Sequence, residues 1–557
     1  MDDNEPTHFN VLVAGTGLAE SVLAAALSKS GYSVLQLDSA SYYGTEHASL
    51  SLTEFDEWLK QRSELSPSRL ETSTPLDPDL VRVSQRFALS LYPCLLRASG
   101  PGIDLLVRSR VATYLQFGLL GGVGLCQPSE SGTPRVKVER VPASKADVFN
   151  NQTLSLVEKR RLTKLLLFAA GNDPLEEDKV LSAHPDIAFR EYLKTASNLS
   201  GTVADSLNYA LALCSSPDDP ALPALRRLRS IIHSVGRYGP SPYLVGHYGG
   251  AGDLVGGFSR ICAVWGGGQI LGRPLAPLDL SPPAGEPVPA SQPPFMVHEN
   301  PPPPPSNPVD AQESTRPLGI PVQLEEGKDA TLFTGDWVVT SPHLLSTLLP
   351  SPQKVDPSQT PSTVNALAIL REAVPFPPRP SSATSSDDEE TPASSSDSNL
   401  FVFPASSLDE RIGTVTALQL GKGTMSCPDG YHVLYLTAPL VSGRTDTLDA
   451  PATHLSSYLD SLLALLPDGA TSPVYSAFYF LPTPPTLSSS TSLPANLLVT
   501  PSLPSQSKTE GIVTALDEVV EVAESMFWQI VGDEGKKEGV EFFRKDVDTS
   551  GDGDEDS

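Results

Sequence analysis

The stretch NVLVAGTGLAESVLAAALSKSGYSVLQLD, from Asn10 to Asp38, decides the fold. It places an apolar run, a Gly-Thr-Gly turn and an Ala- and Leu-rich segment before a second apolar run and a closing acid. This order of strand, glycine turn, helix, strand and acid is typical of a βαβ unit that binds a dinucleotide. In such a unit Gly15 permits the tight turn, and Gly17 lets a pyrophosphate approach the helix N-terminus. Asp38 then takes the ribose hydroxyls.

The third glycine of the GxGxxG pattern is missing, because Glu20 stands in its place. The helix dipole stabilises a carboxylate at a helix start, so Glu20 can take the role that the phosphate would have had. Two anions close together in a partly desolvated turn repel strongly. The motif therefore favours a Rossmann-type unit without a cofactor, and a dinucleotide site remains the alternative.

The composition limits the classes of partner. The chain has 557 residues, enough for two to four domains, and its net charge of −27 argues against nucleic acid as a partner. Its five cysteines are scattered and form no CxxC, which favours free thiols in a reducing cytosol and argues against a zinc site. The acidic N-terminus is not a signal peptide, and no stretch approaches the roughly 18 apolar residues that span a bilayer. We therefore expect a cytoplasmic protein.

Residues 119–235 have a helical period and predict a small all-α domain. Ser155 and Glu158 form a capping box, and Leu162, Leu165 and Ala169 follow at helical spacing. Further apolar positions in this segment have no obvious partner in the local sequence. They fit either an ordinary core or a pocket for an apolar guest, and spacing alone favours the core.

Outside this segment, strand-like stretches alternate with low-complexity sequence. The stretch 281–309 is Pro-rich and 376–399 is rich in Ser and acids, which predicts an extended linker and a disordered insertion. A stripe of apolar residues from Ile512 to Ile530 predicts an amphipathic helix that docks on the α/β core. The predicted segments are 1–118 (α/β domain, first part), 119–235 (helical domain), 236–280 (α/β domain, Gly-rich), 281–318 (Pro-rich linker), 319–375 (α/β domain, continued), 376–399 (insertion), 400–531 (last strands and C-terminal helix) and 532–557 (acidic tail).

The acidic tail imitates part of a calcium loop, but the match is incomplete. Asp546, Asp548, Ser550 and Gly551 have the spacing of an EF-hand, whereas Ser557 takes the place of the final Glu and no helix follows. We interpret the tail as solvated and expect no metal.

The chain has no recognisable catalytic set. It contains no GxSxG, HExxH or P-loop motif, and its nine histidines are isolated from one another. A chain of this length without a catalytic group favours a binding protein on an enzyme-like scaffold.

Two blocks of sequence resemble one family. VLVAGTGLAES with LDSASYYGTEHAS, and RYGPSPYLVGHYGGAGDLVGGFSRICAVWGGGQILGRP, resemble the Rab GDP-dissociation inhibitor and Rab escort protein superfamily across roughly residues 8–275. The resemblance implies a discontinuous FAD-binding-like α/β domain I, which includes the Rossmann-type βαβ unit, and a small all-α domain II. It also implies no flavin cofactor, a domain I surface for GDP-bound Rab GTPases and a domain II cavity for the geranylgeranyl lipid.

The resemblance assigns Rab binding first to three residues. Tyr43 matches the second Tyr of the YYG turn, Asp253 stands where the family usually has Glu, and Arg260 matches the Arg that follows Gly-Phe. From the residues alone, an internal salt bridge between Asp253 and Arg260 on a Gly-rich loop is the preferred alternative.

Other positions of the same surface depart from the family or match it less closely. Gly256 replaces a usual Gln and Gly268 a usual Thr, so each removes a side-chain contact. Ile270 replaces a usual Met and stays apolar. Arg237 and Tyr243 fall in the segment that the family uses near the flexible C-terminal part of the Rab.

The escort and inhibitor branches share this surface, so a second feature has to separate them. Long Pro-rich and acidic insertions favour the escort branch. The stretch IAFREYLKT, residues 187–195, resembles the escort patch that docks Rab geranylgeranyltransferase, where Phe189 matches an exposed aromatic. A buried helix position is the alternative for Phe189.

These features predict an escort-type member of the superfamily. It would be a non-catalytic accessory protein that binds GDP-bound Rab, presents it to the transferase for geranylgeranylation, and delivers it through transient membrane contact. One alternative is a GDP-dissociation inhibitor that extracts and recycles prenylated Rab. A second alternative, from a different class, is a flavin-dependent oxidoreductase.

Overall fold

The computed structural model describes residues 7–65, 72–129, 136–142, 147–148, 154–281, 316–325, 327–349, 361–379, 397–441, 450–467, 472–482, 493–503 and 507–544. The Pro-rich stretch from residue 282, residues 380–396 of the insertion and the tail beyond residue 544 lie outside these ranges. What the sequence predicts for them, including the incomplete calcium loop from Asp546 to Gly551, therefore stays a prediction.

Strands lie on both sides of the helical segment in the described chain, and many pair with strands that are distant in sequence. In chain order they are β1 His8–Ala14, β2 Val34–Leu37, β3 Ser49–Leu50, β4 Thr72–Ser73, β5 Leu89–Ser90, β6 Leu96–Arg97, β7 Phe117–Leu119, β8 Val123–Pro128, β9 Val136–Arg140, β10 Tyr243–Gly246, β11 Gly268–Ile270, β12 Leu318–Val322, β13 Thr331–Thr340, β14 Pro361–Leu370, β15 Asn399–Phe403, β16 Val415–Leu420, β17 His432–Pro439, β18 Tyr475–Pro482 and β19 Leu497–Val499.

Helices are concentrated between residues 156 and 264 and at the C-terminal end of the described chain. In chain order they are α1 Leu18–Lys29, α2 Leu52–Leu65, α3 Pro78–Val83, α4 Pro101–Arg108, α5 Leu156–Ala170, α6 Lys179–Ala183, α7 Phe189–Ser197, α8 Gly201–Asp205, α9 Ala221–Ser234, α10 Ala251–Val264, α11 Pro342–Leu348, α12 Pro451–Leu463 and α13 Gly511–Lys537. A π-helical turn, Ser206–Leu211, follows α8.

The first apolar run lies inside a sheet with the order β11-β2-β1-β13-β12, and β19 also pairs with β13. β1 is parallel to both β2 and β13, and Val11, Leu12 and Val13 are fully buried there. Gly15 has a φ of +108°, which glycine adopts without steric cost and which turns the chain from β1 into α1. α1 then packs against α10 and α13. The predicted βαβ unit and α/β fold class are confirmed.

A second sheet has the order β4-β18-β14-β17-β16-β15-β8-β9. Its pairs are antiparallel except that β8 runs parallel to β15, with Val123 opposite Leu400. β8 and β9 fall within the predicted helical domain, so the prediction of helices from residue 119 is wrong for Val123–Pro128 and Val136–Arg140. Val123 and Leu125 are buried beside a strand that lies far along the chain, and such distant packing overrides local propensity.

Helices α5 to α9 form the predicted helical unit, which begins at residue 155. Ser155 Oγ accepts a hydrogen bond from Glu158 N at 3.3 Å, and Glu158 Oε2 accepts one from Ser155 N at 2.9 Å. The predicted capping box is therefore present. α5, α7 and α9 pack on one another around the buried side chains of Leu162, Leu165 and Leu228. The remaining domain limits stay predictions.

The last described helix, α13, packs against α1 and α4 on one face of the first sheet. Val519, Ala523 and Phe527 are buried in the cluster that also contains α1 and α4 side chains. Arg97 Nε donates a hydrogen bond to Asp517 Oδ2 at 2.8 Å, which ties this helix to β6. The predicted docking of an amphipathic C-terminal helix on the α/β core is confirmed. None of the described helices is long and apolar enough to cross a bilayer.

Candidate functional site

Asp38, the acid that closes the βαβ unit, is fully engaged within its own chain. Its Oδ2 accepts hydrogen bonds from Thr16 N at 2.9 Å and from Thr16 Oγ1 at 2.7 Å. Thr45 Oγ1 donates to the same oxygen at 3.0 Å, and Ala40 N donates to Oδ1 at 2.9 Å. Asp38 therefore fastens the glycine turn to the following loop, and its oxygens are not directed towards a ribose.

The buried carboxyl of Glu20 and the carboxyl of Glu46, which is 23% exposed, lie at the start of α1, where the phosphates of a dinucleotide would lie. Glu20 is in the first turn and 3% exposed. A Cβ added to Gly17 would lie 2.5 Å from Glu20 Oε2 and 3.6 Å from Glu46 Oε1. Burial and the charge of Glu46 raise the pKa of Glu20, and burial also raises the pKa of Glu46. His343 Nε2 lies 3.9 Å from Glu46 Oε1, and burial lowers the pKa of this histidine.

The space left at this position is too small for a dinucleotide. The cavity bounded by Glu20, Glu46 and His343 has a volume of about 20 Å³, little more than one water needs. A pyrophosphate would also bring further negative charge beside two carboxyls in a desolvated site. The residues present therefore do not fit a dinucleotide, and we assign no chemistry of this chain to one.

Helix α10 presents two opposite charges on one side. Asp253 and Arg260 are seven residues apart, about 10.5 Å along the axis, and a side chain added at Gly256 between them would meet open space. No ion pair joins Asp253 to Arg260 in the described structure; Arg260 lies over the ring of Tyr114, 4.4 Å from its centroid. The internal salt bridge is therefore wrong. Burial alone raises the pKa of Asp253 to about 6.

The Tyr-Tyr-Gly turn is fastened to α10 through one glutamine. Tyr43 is 38% exposed, and its hydroxyl donates a hydrogen bond to Gln269 Oε1 at 2.9 Å. Gln269 Nε2 in turn donates to Ser259 O of α10 at 3.0 Å. Ile270, the next residue of β11, is half-buried. The structure thus brings Tyr43 to the same helix as Asp253 and Arg260, and we name these three residues the α10 surface. Ile270 packs on the other face of the sheet, in the cluster of Leu35 and Leu37, so the structure does not bring it to this surface.

Two exposed side chains that the sequence did not single out lie near the start of α10. Tyr248 is 51% exposed and Met425 is 47% exposed. Tyr248 N donates to Thr424 O at 3.0 Å, so the two loops that carry these side chains touch. Tyr248 precedes two glycines, and such a run in the sequence indicates a turn that could expose it. No local pattern marks Met425.

The helical unit contains an open apolar pocket. Its volume is about 240 Å³, and it lies between α5 and α9. The lining residues are Pro142, Val148, Thr163, Leu166, Leu167, Ala170, Leu211, Leu228, Ile231, Ile232 and Val235. Of the two interpretations that the sequence left open for the apolar positions, the described structure therefore contains the pocket as well as a core.

The comparison with protein families decides where the chain belongs. A family model described as GDI, GDP dissociation inhibitor, matches residues 1–281. The chain belongs to the GDP dissociation inhibitor family. The part that matches this family contains the βαβ unit, the helical unit and the α10 surface.

Curated relatives of this GDI-family chain have two kinds of name. "Rab proteins geranylgeranyltransferase component A" from Drosophila melanogaster is 34% identical over 290 residues, which cover 49% of this chain and 54% of that protein. The Saccharomyces cerevisiae protein of the same name is 31% identical, over 48% of this chain and 44% of that protein. The yeast Rab GDP-dissociation inhibitor is 30% identical, over 48% of this chain and 57% of that protein. The chain thus spans about half the length of the curated relatives it matches.

Solved structures share the fold of this chain over most of its length. The Rab GDI of Plasmodium falciparum superimposes with a TM-score of 0.64 at 20% identity, over 95% of this chain and all of that one. An oxidoreductase from Methanosarcina mazei gives a TM-score of 0.54 at 13% identity, over 93% of this chain and 99% of that one. At these identities the likeness is one of fold alone, and it confirms the FAD-binding-like class.

Two residues that the resemblance assigned to partners are buried. For Phe189 the expected exposure is wrong and the buried helix position, given as the alternative, is what the structure has. Tyr243 is fully buried because β10 is the central strand of the sheet β6-β10-β7. Phe189 is fully buried because it lies on the inner side of α7, where its ring stacks on Tyr192 with centroids 6.4 Å apart. Arg237 is exposed, as a partner contact requires, although its Nη2 lies 3.5 Å from Asp104 Oδ1.

Proposed function

We propose that this GDI-family chain is a Rab escort protein, a non-catalytic accessory component of Rab geranylgeranyltransferase. It binds a GDP-bound Rab GTPase on the α10 surface and presents the Rab C-terminus to the transferase. It then takes the geranylgeranyl group into the pocket of the helical unit and delivers the Rab to a membrane. We place it in the cytoplasm, with transient membrane contact.

The observation that carries the proposal is the apolar pocket between α5 and α9. A prenyl group in water is unfavourable, and burial stabilises a lipid chain by about 0.8 kcal/mol per methylene. The aliphatic side chains of Leu166, Leu228 and Ile231 offer such burial, and the pocket is open to solvent at Leu167, which is 64% exposed. A lipid attached to a protein tail needs an entrance of this kind.

The α10 surface supports the Rab-binding part of the proposal. Among the described residues, no cation of the chain lies within ion-pair distance of Asp253. Burial raises the pKa of its carboxyl, which shows that the group is partly desolvated. A partially desolvated carboxyl of this kind gains from a partner's Lys or Arg. Arg260 offers an exposed guanidinium for a partner's acid, and Tyr43 offers an exposed ring between the two chains.

A Rab GDP-dissociation inhibitor remains the second candidate, because the yeast inhibitor matches almost as well as the component A proteins. Phe189 no longer separates the two, since a buried ring cannot act as a contact for the transferase in this conformation. The exposed residues of the same helix, Arg190, Glu191 and Lys194, are the ones that could reach the transferase. The pocket supports both candidates, so the choice of the escort over the inhibitor rests on the component A relatives and on the long insertions.

A flavin-dependent oxidoreductase is the weakest candidate. The likeness to the Methanosarcina mazei oxidoreductase is one of fold alone. Glu20 and Glu46 fill the position of the phosphates, and Asp38 is held by its own chain. A purified protein with stoichiometric flavin absorbance would nevertheless overturn the proposal.

The experiment that tests the proposal is prenylation of a Rab in vitro by Rab geranylgeranyltransferase, with and without this chain. An escort raises prenylation from background, whereas an inhibitor leaves it at background and extracts prenylated Rab from membranes. Failure to bind any GDP-loaded Rab would overturn both candidates.

The pocket has its own test, which measures the affinity of the chain for prenylated and for unprenylated Rab. Ala170→Trp fills the pocket, and we expect prenylated Rab to bind at least about 100-fold more weakly, because several methylenes lose their burial. Unprenylated Rab should bind as before. Ala196→Trp, on the exposed side of α7, is the matched control and should change neither affinity. Equal loss in both variants would assign the lipid to another place.

A further inference from the structure

The first helix of the helical unit, α5, has an exposed face of mixed apolar and basic side chains. Leu156, Val157 and Leu167 are 85%, 56% and 64% exposed. Arg160 and Lys164 are exposed on the turns between them. Residues three, four and seven positions apart share one side of a helix, so these five side chains form a single strip. We name this strip the α5 face.

The α5 face is basic within a strongly acidic chain. The whole chain has a net charge of −27, whereas α5 contains four Lys and Arg residues and one acid. That acid, Glu158, is held by the hydrogen bonds of the capping box. Arg161 is also engaged, because its Nη1 donates to Asn198 O at 3.0 Å. Arg160 and Lys164 have no ion-pair partner in the part of the chain that the structure describes.

The α5 face is continuous with the mouth of the apolar pocket. Leu167 belongs to both, since it is largely exposed and also lines the pocket beside Ala170. Leu156 lies at the other end of the helix, about 16 Å away at 1.5 Å per residue. The apolar ends of the face are thus separated by its two unpaired cations.

We propose that the α5 face docks on the surface of an anionic lipid bilayer. Arg160 and Lys164 bind acidic headgroups, while Leu156 and Leu167 enter the boundary between the headgroups and the acyl chains. A bilayer is polar at its surface and apolar just beneath along the whole length of a helix. It therefore satisfies both the cations and the widely spaced leucines, whereas an acidic protein surface satisfies the cations alone.

Docking in this way turns the mouth of the pocket towards the bilayer. The inference extends the proposed function, because it names the surface across which the lipid group leaves or enters the pocket. The docking itself requires neither a Rab nor a bound prenyl group. It can therefore be tested on the purified full chain, independently of prenylation.

The test is sedimentation of the full chain with phosphatidylcholine vesicles that contain or lack phosphatidylserine. We expect binding to the phosphatidylserine vesicles, weakened by added salt because the headgroup contacts are electrostatic. Arg160→Glu combined with Lys164→Glu should lower the affinity at least about 25-fold, roughly fivefold for each cation lost. Leu156→Ser combined with Val157→Ser should lower it while leaving its salt dependence in place.

A matched variant controls for net charge. Arg82→Glu with Lys137→Glu reverses two cations that are 78% and 67% exposed on other parts of the chain. This variant should bind vesicles within about twofold of the unchanged protein, because its cations lie outside the α5 face. Circular dichroism and the thermal midpoint establish that each variant is folded.

Three outcomes would overturn the proposal. They are equal binding to the two kinds of vesicle, unchanged binding after reversal of Arg160 and Lys164, and an equal loss in the control variant. The second outcome would place the vesicle contact on another surface of the chain. Prenylation measured without vesicles separates the two proposals: if the chain fails to support prenylation but still binds vesicles through α5, the escort function fails and the docking surface stands.

Discussion

Two helices of this chain begin alike and have opposite surroundings. α1 and α10 each follow a glycine, Gly17 and Gly250, and each has an acid as its third residue, Glu20 and Asp253. Burial raises the pKa of both carboxyls. Glu20 is closed in by Glu46 and other side chains, whereas Asp253 lies on a side of α10 that is partly open to solvent.

The difference shows that segments distant in the chain, and not the local sequence, decide what a carboxyl at a helix start can do. His343 and Thr500 come from late in the chain and cover the start of α1. Nothing covers the side of α10 at Gly256 among the described residues. The helix dipole favours the acid in both places. Glu20 therefore fills the position that the phosphates of a dinucleotide would take, whereas Asp253 remains available to a partner.

Among the changes that test the two helix starts, the largest effect is expected for Asp253→Asn, which removes the charge at the open start of α10. If a Rab supplies a cation to Asp253, loss of this partly desolvated charge should weaken the binding of GDP-loaded Rab about 30-fold, or about 2 kcal/mol. Titration calorimetry with a GDP-loaded Rab measures it. Asp186→Asn, at an exposed aspartate of the helical unit, should leave the affinity unchanged. Unaltered affinity in Asp253→Asn would remove the partner role from this end of α10.

The second prediction concerns pH. The pKa of Asp253 is about 6 in the free protein, and a partner cation stabilises its charged form. Rab affinity should therefore be constant above about pH 7 and fall by up to tenfold per pH unit as Asp253 becomes protonated below pH 6. Affinity measured from pH 5 to 8 should follow this curve for the unchanged protein and should lack this component for Asp253→Asn. An identical pH profile in both proteins would contradict the assignment.

The fold could be predicted from local sequence where a segment supplies its own partners. The run from Val11 to Leu37 contains both strands and the helix of its unit, and the capping box of Ser155 and Glu158 lies within one turn. Val123 could not be predicted as a strand residue in the same way, because its neighbour β15 is encoded about half a chain away. The closed surroundings of Glu20 at the start of α1 could not be predicted from local sequence for the same reason, since His343 belongs to a distant helix.

The candidate site could be predicted in part, and its errors have a physical cause. Tyr43 lies in a glycine-marked turn, and Asp253 and Arg260 lie on one side of a helix. The exposure of the three side chains agrees with a binding role. Phe189 and Tyr243 were assigned by resemblance, which transfers a position from the family but does not show how the side chain packs in this chain. The helical period alone could have placed Phe189 inside, because Tyr192 and Leu193 follow it at the spacing of a buried side.

The third prediction tests the sealed helix start through stability. The pKa of Glu20 in the folded protein lies above its ordinary value of 4.5, so the folded state keeps a proton that the unfolded chain has released. Stability should therefore fall as the pH rises from about 4.5 through the raised pKa. Between pH 5 and 8 we expect a loss on the order of 1 kcal/mol from this carboxyl, and Glu20→Gln should lack that loss.

Urea unfolding at several pH values measures this effect, with exposed Glu521→Gln as the matched control. The control should follow the unchanged protein at every pH. If Glu20→Gln and the unchanged protein lose stability in parallel, Glu20 is not the desolvated group that seals α1, and the contrast between the two helix starts fails.

The last prediction compares two adjacent glycines of α10, and the stabilisation expected at Gly256 is the smallest effect of the set. A Cβ at Gly256 meets nothing within 4 Å, so Gly256→Ala should stabilise the protein by up to about 1 kcal/mol through helix propensity. A Cβ at Gly257 would lie 2.7 Å from Val111 Cγ1, so Gly257→Ala should destabilise it by about 1–3 kcal/mol. Urea midpoints for the pair should move in opposite directions. If Gly256→Ala also destabilises, another segment covers this side of α10, and Asp253 and Arg260 are no more accessible to a partner than Glu20 is.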